Sequence, residues 1–307
     1  MLYFFQQVLN GVHSGALYAL LAFGYALING MLHRANIAHG AVFAISGQIT
    51  ILGAVFGWQV LWMTLPAALL FGTATAFIYA AFISYLLARN VLAPLARQSP
   101  NTIVAATLGV AIALTELGRI ASDTKDFWLP PILSTPIVFA SSMDFRATLT
   151  LLQIVNCSIA VLTLLLASTA LAGSHFGRQW RAVSDDPGMA AMVGIDVPKI
   201  FSRAIVFGGL AAALAGILAA LHYGNIGFGT GLFFGLKVLF ITAIGGFHSP
   251  SRAAMGAACF AIVESLWAGY FPIEWRDVAM FLALVAILVL RPRDELGVQT
   301  SFLRQKS

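Results

Sequence analysis

One acidic residue, Glu264, stands inside an apolar stretch of the sequence, in the segment AIVESLW. A carboxylate is costly in hydrocarbon, so a protein that keeps one there uses it in a pathway, for a partner or in a structural ion pair. Lys237, on the preceding apolar run, is the available opposite charge. The sequence therefore predicts a Glu264–Lys237 ion pair, which either locks two helices together or lies beside a path through the protein.

Two glycine-containing interruptions place polar side chains between apolar runs. Residues 36–40 read NIAHG, and residues 245–250 read GGFHSP. Transporters built from inverted repeats use broken helices at comparable places to expose helix ends to a substrate. Two ordinary tight turns with polar tips are the alternative. On the first interpretation, the residues near a permeation path or its gate are Asn36, His39, Gly40, Gly245, Gly246 and Glu264.

Familiar catalytic and metal-binding patterns do not occur in the sequence. The six histidines form no HExxH motif, and Cys157 and Cys259 lie in separate apolar runs without CxxC spacing. The chain contains neither GxSxG nor a Walker-type GxxxxGKS or GxxxxGKT. We therefore expect no metal site, no cofactor and no enzymatic activity, including ATP hydrolysis, in this chain.

The composition excludes several classes of protein. Of the 307 residues, 60% are hydrophobic and only 9% are charged, whereas soluble domains carry roughly 25% charged residues to cover their surface. A soluble enzyme or a nucleic-acid binder is therefore excluded. The net charge of +5 agrees with the excess of Lys and Arg in the cytoplasmic loops of membrane proteins. The sequence predicts a polytopic protein of the lipid bilayer.

Apolar runs bounded by polar residues, Gly or Pro give the expected architecture. They predict an all-α transmembrane bundle of eight or nine spans, some discontinuous, in a single domain covering residues 1–307. The run at 235–247 is short for a full crossing. The runs cover about 4–32, 37–56, 61–88, 102–121, 148–172, 202–222, 235–247, 253–270 and 277–291.

The distribution of cations predicts the orientation of the chain. Most Lys and Arg residues alternate onto one side of these runs, which places that side and the C-terminus in the cytoplasm. The N-terminus lies outside if all nine runs cross, and only its side changes if one run is re-entrant. Glu116 and Arg119 are one helical turn apart, and a surface ion pair explains them.

Two loops exceed the length of a simple connector. The loop at about 122–147 contains three prolines and mixed charges and is predicted to lie outside. The loop at about 173–199 is predicted to lie inside and to contain a short helix. There Ser184, Asp185 or Asp186 serves as N-cap, Pro187 fits the first turn, and Gly194 ends the helix.

Four stretches in order resemble one family over the whole chain. They are GALYALLAFGYALINGMLHRANIAHG, FGRQWRAVSDDPGMAAMVGID, GLKVLFITAIGGFHSPSRAAMGA and WRDVAMFLALVAILVLRP. Together they resemble the shorter permease subunit of the branched-chain amino-acid type of ABC importer. The sequence departs from the family at Ala41, where relatives are often acidic, and at Phe247, His248 and Arg252, which replace smaller residues.

The resemblance implies an importer with several subunits in the bacterial inner membrane. A second, larger permease subunit completes the membrane path, two cytoplasmic ATP-binding subunits bind ATP and Mg, and a periplasmic binding protein delivers the solute. The loop at 173–199 then couples to the ATPases, with Arg178 and Arg181 facing acidic groups or serving as membrane anchors. The implied coupling residues are Gly177, Arg178, Arg181, Asp185, Asp186, Met189, Met192 and Gly194.

Other classes of function remain open at this point. A secondary transporter or channel working alone predicts ion-coupled flux without ATPase partners. It usually contains more intramembrane acids than the single clear case of Glu264. Within the permease family, urea, amides or other small amino-acid-like solutes are alternative cargoes. The second permease subunit is either a different chain or a second copy of this one.

Overall fold

The computed structural model describes residues 1–96, 98–142, 145–246 and 249–290. Within them each predicted apolar run forms a helix, so the prediction of an all-α polytopic bundle is confirmed. Phe247 and His248 lie outside the described residues. The C-terminus, which is predicted to be cytoplasmic, also lies outside them. The helices are α1 Leu2–Leu32, α2 Ala38–Gln59, α3 Leu65–Leu86, α4 Ala93–Leu95, α5 Pro100–Ala121, α6 Leu151–Gly173, α7 His175–Asp185, α8 Pro187–Met192, α9 Val197–Tyr223, α10 Thr230–Gly245, α11 Pro250–Tyr270 and α12 Arg276–Leu290.

Seven helices in the described part of the chain are long and apolar enough to cross a membrane. Two further apolar helices are shorter: α10 has 16 residues and α12 has 15. α10 begins at Thr230, five residues before the apolar run predicted at 235–247. The predicted boundary began too late because Thr230 and the glycines near the start of α10 lower the hydropathy of its first turn.

Helix α1 forms the centre of the bundle and packs against α6, α9, α10 and α11. Small residues allow the close approach of these helices. A Cβ atom built on Gly15 would lie 3.2 Å from the Cα of Ala258 in α11. On another face, a Cβ on Gly24 would lie 2.5 Å from the carbonyl oxygen of Gly208 in α9. Glycine at both positions therefore lets two neighbouring backbones contact α1 directly.

Helix α2 begins inside the bundle and not at its edge. α1 ends where His33 adopts a left-handed conformation with φ 52°, and the chain then turns back along α1. The Asn36 backbone amide donates to the Tyr25 hydroxyl at 3.3 Å, and His39 Nε2 lies 3.1 Å from the Leu21 carbonyl oxygen. Leu21 precedes the last residue of α1 by about 16 Å of helix. The first interruption is thus a turn that buries the start of α2 against α1.

The segment predicted as a long external loop contains a β-hairpin that the sequence did not predict. Strand β1, Pro136–Ser141, pairs antiparallel with β2, Arg146–Thr150. The side chain of Gln6 in α1 bonds both backbone groups of Thr148, at 3.0 and 2.7 Å. The Leu129 amide donates to the Gly224 carbonyl at 2.9 Å. The segment is therefore fastened to the start of α1 and the end of α9.

Two helices, α7 and α8, occupy the loop at 173–199, where the sequence predicted one. The indole nitrogen of Trp180 donates to the Leu27 carbonyl at 3.0 Å, and the Ser184 hydroxyl donates to the Gly30 carbonyl. Both acceptors belong to the last two turns of α1. The loop therefore lies at the end of α1 opposite to the β-hairpin, and α7 forms because its apolar side packs on α1.

Candidate functional site

A cavity of about 510 Å³ lies among α1, α10 and α11, and Trp128 from the segment before the hairpin is one of its lining residues. Its size falls within the range of small-molecule sites. Much of its wall is apolar, and one side carries charged groups. The apolar wall includes Leu17, Leu21, Phe43, Ile226 and Phe234, and the charged side includes Lys237, Glu264 and Arg276.

The ion pair predicted from the sequence is present at this cavity. Lys237 Nζ lies 2.7 Å from Glu264 Oε1, and the two side chains are only 2% and 9% exposed. Lys237 Nζ also lies 3.3 Å from Asp277 Oδ1, while Arg276 Nε lies 3.6 Å from Glu264 Oε1. Two cations and two carboxylates therefore form one ionic cluster with balanced formal charge.

Aromatic rings surround the ammonium group of Lys237. Its Nζ lies 5.0 Å from the ring centroid of Phe233 and 5.7 Å from those of Tyr18 and Phe234. Rings at these distances attract a cation through their electron-rich faces. Together with two carboxylates they compensate for the loss of water around the buried charge. Lys237 is therefore firmly held, and it belongs to the wall of the cavity.

Sequence reasoning missed two members of the cluster, Arg276 and Asp277. It gave neither residue a role in a site. The available signal was the pair of adjacent opposite charges, Arg276-Asp277, directly before the last apolar run. A short 3-10 turn, Ile273–Trp275, leads into α12 and carries this pair back toward α10 and α11.

Asn36 and His39 are buried at the start of α2 and lie outside this cavity. Asn36 Oδ1 accepts a hydrogen bond from the Ala38 amide at 3.1 Å, which supports the first turn of α2. The ring of His39 packs edge-on against Tyr25. Their predicted place near a gate stays a prediction, and neither side chain lines the cavity that contains Glu264.

The predicted glycines mark contacts between helix backbones. A Cβ on Gly40 would collide with the Gly231 carbonyl oxygen and the Gly235 Cα in α10, so α2 and α10 touch through backbone. A Cβ on Gly245 would lie 2.8 Å from the Ala253 Cα in α11. Gly246 has φ 94°, a conformation that favours glycine and ends α10.

The residues predicted to couple to a partner lie around α7 and α8. The Asp186 carboxylate caps α8 by accepting from the amides of Gly188 and Met189, and Gly194 follows the helix with φ 85°. Asp185 is exposed. Met189 and Met192 project from α8 and are 59% and 80% exposed.

Arg178 and Arg181 have partners within the chain. Arg178 donates to the Gly173 carbonyl at 2.9 Å, and Arg181 donates to those of Leu171 and Ala172 at 2.7 and 3.1 Å. They therefore complete the last turn of α6, whose carbonyl groups have no helical partners. A Cβ on Gly177 would collide with the Leu171 carbonyl oxygen, so this glycine lets α7 approach α6.

Comparison with known proteins now identifies the family. A family model described as "Branched-chain amino acid transport system / permease component" matches residues 7–288. The chain belongs to this family. The permease is 29% identical over 300 residues to the high-affinity branched-chain amino acid transport system permease protein LivH of Salmonella typhimurium and of Escherichia coli, with 96% of each chain covered. It is 27% identical over 295 residues to the corresponding protein BraD of Pseudomonas aeruginosa, again with 96% of both chains covered.

The match places the whole ionic cluster inside the family region, since residues 7–288 include α10, α11 and the start of α12. The permease is therefore a transport subunit and a multi-pass protein of the inner membrane. Its buried charges form part of a wall between helices, beside a cavity that joins apolar and ionic surfaces.

Proposed function

We propose that this permease is a membrane-spanning subunit of an ATP-driven importer of branched-chain or related hydrophobic amino acids. The cavity supports this proposal, because it combines an apolar wall with a balanced set of charges. Such a lining suits a solute with an aliphatic side chain and both signs of charge. Relatives that match over 96% of their length are named as permeases for branched-chain amino acids.

The proposed assembly contains four kinds of protein. A second, larger permease subunit packs beside this chain, and two cytoplasmic ATPase subunits bind ATP and Mg and dock on α7 and α8. A periplasmic binding protein delivers the solute at the side that carries the hairpin. The exposed Met189 and Met192 provide adaptable apolar contacts for docking. In this arrangement the C-terminus lies in the cytoplasm.

A continuous set of contacts links the docking helices to the cavity. α8 follows α7 directly, and Trp180 and Ser184 bond α7 to the end of α1. The middle of α1 supplies Leu17 and Tyr18 to the cavity wall. A rigid-body movement of α7 and α8 on ATP binding therefore displaces α1 and alters access to the cavity.

Reconstitution tests this proposal. The tagged permease is expressed together with a second permease subunit, ATPase subunits and a binding protein from the same genome, purified and placed in liposomes. We expect ATPase subunits to co-purify and leucine uptake to require both ATP and the binding protein. The matched control carries ATPase subunits whose catalytic glutamate is replaced by glutamine, and it should assemble without transporting.

Two outcomes would contradict the proposal. Transport by the purified permease without any ATPase subunit would identify a secondary transporter or channel. Uptake of urea or amides in preference to leucine by the intact assembly would identify a different cargo class. Both measurements use the same proteoliposomes, so they separate a wrong mechanism from a wrong solute.

A further inference from the structure

The two cations of the cluster are held to different extents. Lys237 makes a 2.7 Å contact with Glu264, a 3.3 Å contact with Asp277 and three ring contacts. Arg276 is 34% exposed, and its contacts with Glu264 and Asp277 measure 3.4 to 3.6 Å. These distances are long for charge-assisted hydrogen bonds, which are typically about 2.7–2.9 Å. Arg276 is therefore the loosely bound cation of the cavity.

A guanidinium group has five N–H donors in a planar fork that matches a carboxylate. In Arg276 these donors make only long contacts within the cluster, and the side chain lines the cavity. A carboxylate entering the cavity would offer Arg276 shorter, bidentate hydrogen bonds. Lys237 cannot serve in the same way, because its ammonium group is enclosed by rings and carboxylates.

The charge balance determines what else the ligand must carry. Arg276 and Lys237 currently neutralise Glu264 and Asp277. When a ligand carboxylate pairs with Arg276, Lys237 alone neutralises Glu264 and Asp277, so one negative charge is left unpaired. A ligand with a cationic group beside its carboxylate restores the balance, since that group can bind Glu264 at the cavity wall. A solute with no net charge and no carboxylate, such as urea, gains nothing from this exchange.

We propose that Arg276 binds the carboxylate of a zwitterionic amino acid in this cavity, while Glu264 accepts its ammonium group. The aliphatic side chain then lies against the apolar wall formed by Leu17, Leu21 and Phe43. The inference rests on the proposed function and deepens it, because it assigns cargo recognition to residues of the permease itself. Recognition of both charged ends selects free α-amino acids over amides, amines and fatty acids.

The inference is tested by measuring how ligands change the melting temperature of the purified full-length permease. The sample contains the subunits that co-purify with it and no binding protein. The probes are L-leucine, L-leucinamide, which lacks the carboxylate, and 4-methylpentanoate, which lacks the amino group. We expect leucine to raise the melting temperature and both analogues to have no effect at equal concentration. Arg276→Gln should weaken the apparent leucine affinity at least about tenfold, since it removes a charge-assisted bidentate contact.

Two further variants separate binding from folding. Arg276→Lys retains the charge without the fork and should bind leucine with an intermediate affinity. Arg119→Gln alters an exposed arginine that is paired with Glu116 away from the cavity, and it should bind leucine as the wild type does. Equal stabilisation by leucine and leucinamide, unchanged leucine affinity in Arg276→Gln, or no leucine effect on the wild type would overturn the inference.

The proposed function and the inference fail in distinguishable ways. If no ATPase subunit co-purifies but leucine binding depends on Arg276, the importer proposal is wrong, and the assignment of Arg276 as the carboxylate-binding residue is supported. If ATP-driven leucine uptake occurs and Arg276→Gln transports with unchanged kinetics and unchanged affinity, the importer proposal stands. The assignment of Arg276 as the carboxylate-binding residue is then wrong.

Discussion

At the scale of single residues, the Lys237–Glu264 pair shows how this protein tolerates charge among apolar helices. Each ion loses hydration on burial, and the 2.7 Å contact alone does not offset that loss. Asp277 and three aromatic rings add further stabilisation to the ammonium group. The pair is therefore one part of a larger cluster, and removing one ion should disturb all of its members.

We expect Lys237→Met to lower the free energy of unfolding by about 3 kcal/mol, because it leaves the buried Glu264 carboxylate without its nearest cation. The melting temperature of the purified protein measures the loss. Adding Glu264→Gln to the same chain should recover part of it. Arg119→Met is the matched control, since its pair with Glu116 is 48% exposed on both sides and should contribute less than about 1 kcal/mol. Equal losses in the two single variants would contradict the cluster's structural importance.

At the scale of helices, the contact between α2 and α10 depends on glycine. Gly40 in α2 faces Gly231 and Gly235 in α10 without an intervening side chain. This close approach holds the buried start of α2 against the first turns of α10. Both helices supply residues to the cavity, Phe43 from α2 and Phe234 from α10, and their rings stack at 5.4 Å. The glycines therefore help to shape the cavity without lining it.

Gly40→Ala should separate α2 from α10 and cost about 1–3 kcal/mol, because the new methyl group meets backbone atoms that cannot rotate away. The melting temperature and the yield of folded protein in detergent measure the effect. Gly109→Ala in α5 is the control, since no neighbouring atom in the described part of the chain lies within 4 Å of its added Cβ. That variant should be neutral or slightly more stable, as alanine favours helix more than glycine does. A similar melting temperature for both variants would rule out the tight crossing.

The short helix α8 provides a test of partner docking. Met192→Glu places a charge on a side chain that is 80% exposed, so the isolated permease should keep its melting temperature. The charge would be desolvated against an ATPase, and we expect about tenfold weaker association. Co-purification under increasing salt measures the association. Met192→Leu keeps the apolar contact and should associate normally, whereas normal association of the glutamate variant would exclude α8 from the docking surface.

At the scale of the whole molecule, the two polar segments are fastened to opposite ends of α1. The hairpin is bonded to Gln6 near the first turn, and α7 is bonded to Leu27 and Gly30 near the last. α1 has 31 residues, which span about 46 Å and exceed the hydrocarbon thickness of a bilayer. The two segments therefore lie near opposite ends of a helix long enough to cross the membrane, and the distribution of cations predicts that α7 lies in the cytoplasm.

Thiol labelling checks this orientation. In a background with Cys157 and Cys259 replaced by alanine, we expect Ser141→Cys in the hairpin to react with a membrane-impermeant maleimide on spheroplasts. Met192→Cys in α8 should react only after the membrane is permeabilised. The cysteine-free background is the control for non-specific labelling. Labelling of both positions from the same side would contradict the predicted topology.

The sequence by itself determined the features that arise from neighbouring residues. Apolar runs located the helices, because the cost of burying backbone and charge in lipid allows few other structures. The polar residues Ser184, Asp185 and Asp186 before Pro187 predicted a helix start here, because a cap and a proline act within one turn, and Asp186 is the cap of α8. The Glu264–Lys237 contact could also be predicted from the sequence, because few charges lie inside apolar runs and Glu264 therefore had few candidate partners.

Only the tertiary structure decided how distant segments meet. It brought Arg276 and Asp277 into the cluster, turned α2 back beside Leu21, and directed Arg181 onto the end of α6. No local pattern encodes these contacts, because hydropathy records how apolar a segment is and not which neighbour it faces. The cavity and its loosely held Arg276 exist only where α1, α10, α11 and α12 converge, since their relative positions are set by close packing between helices far apart in the chain.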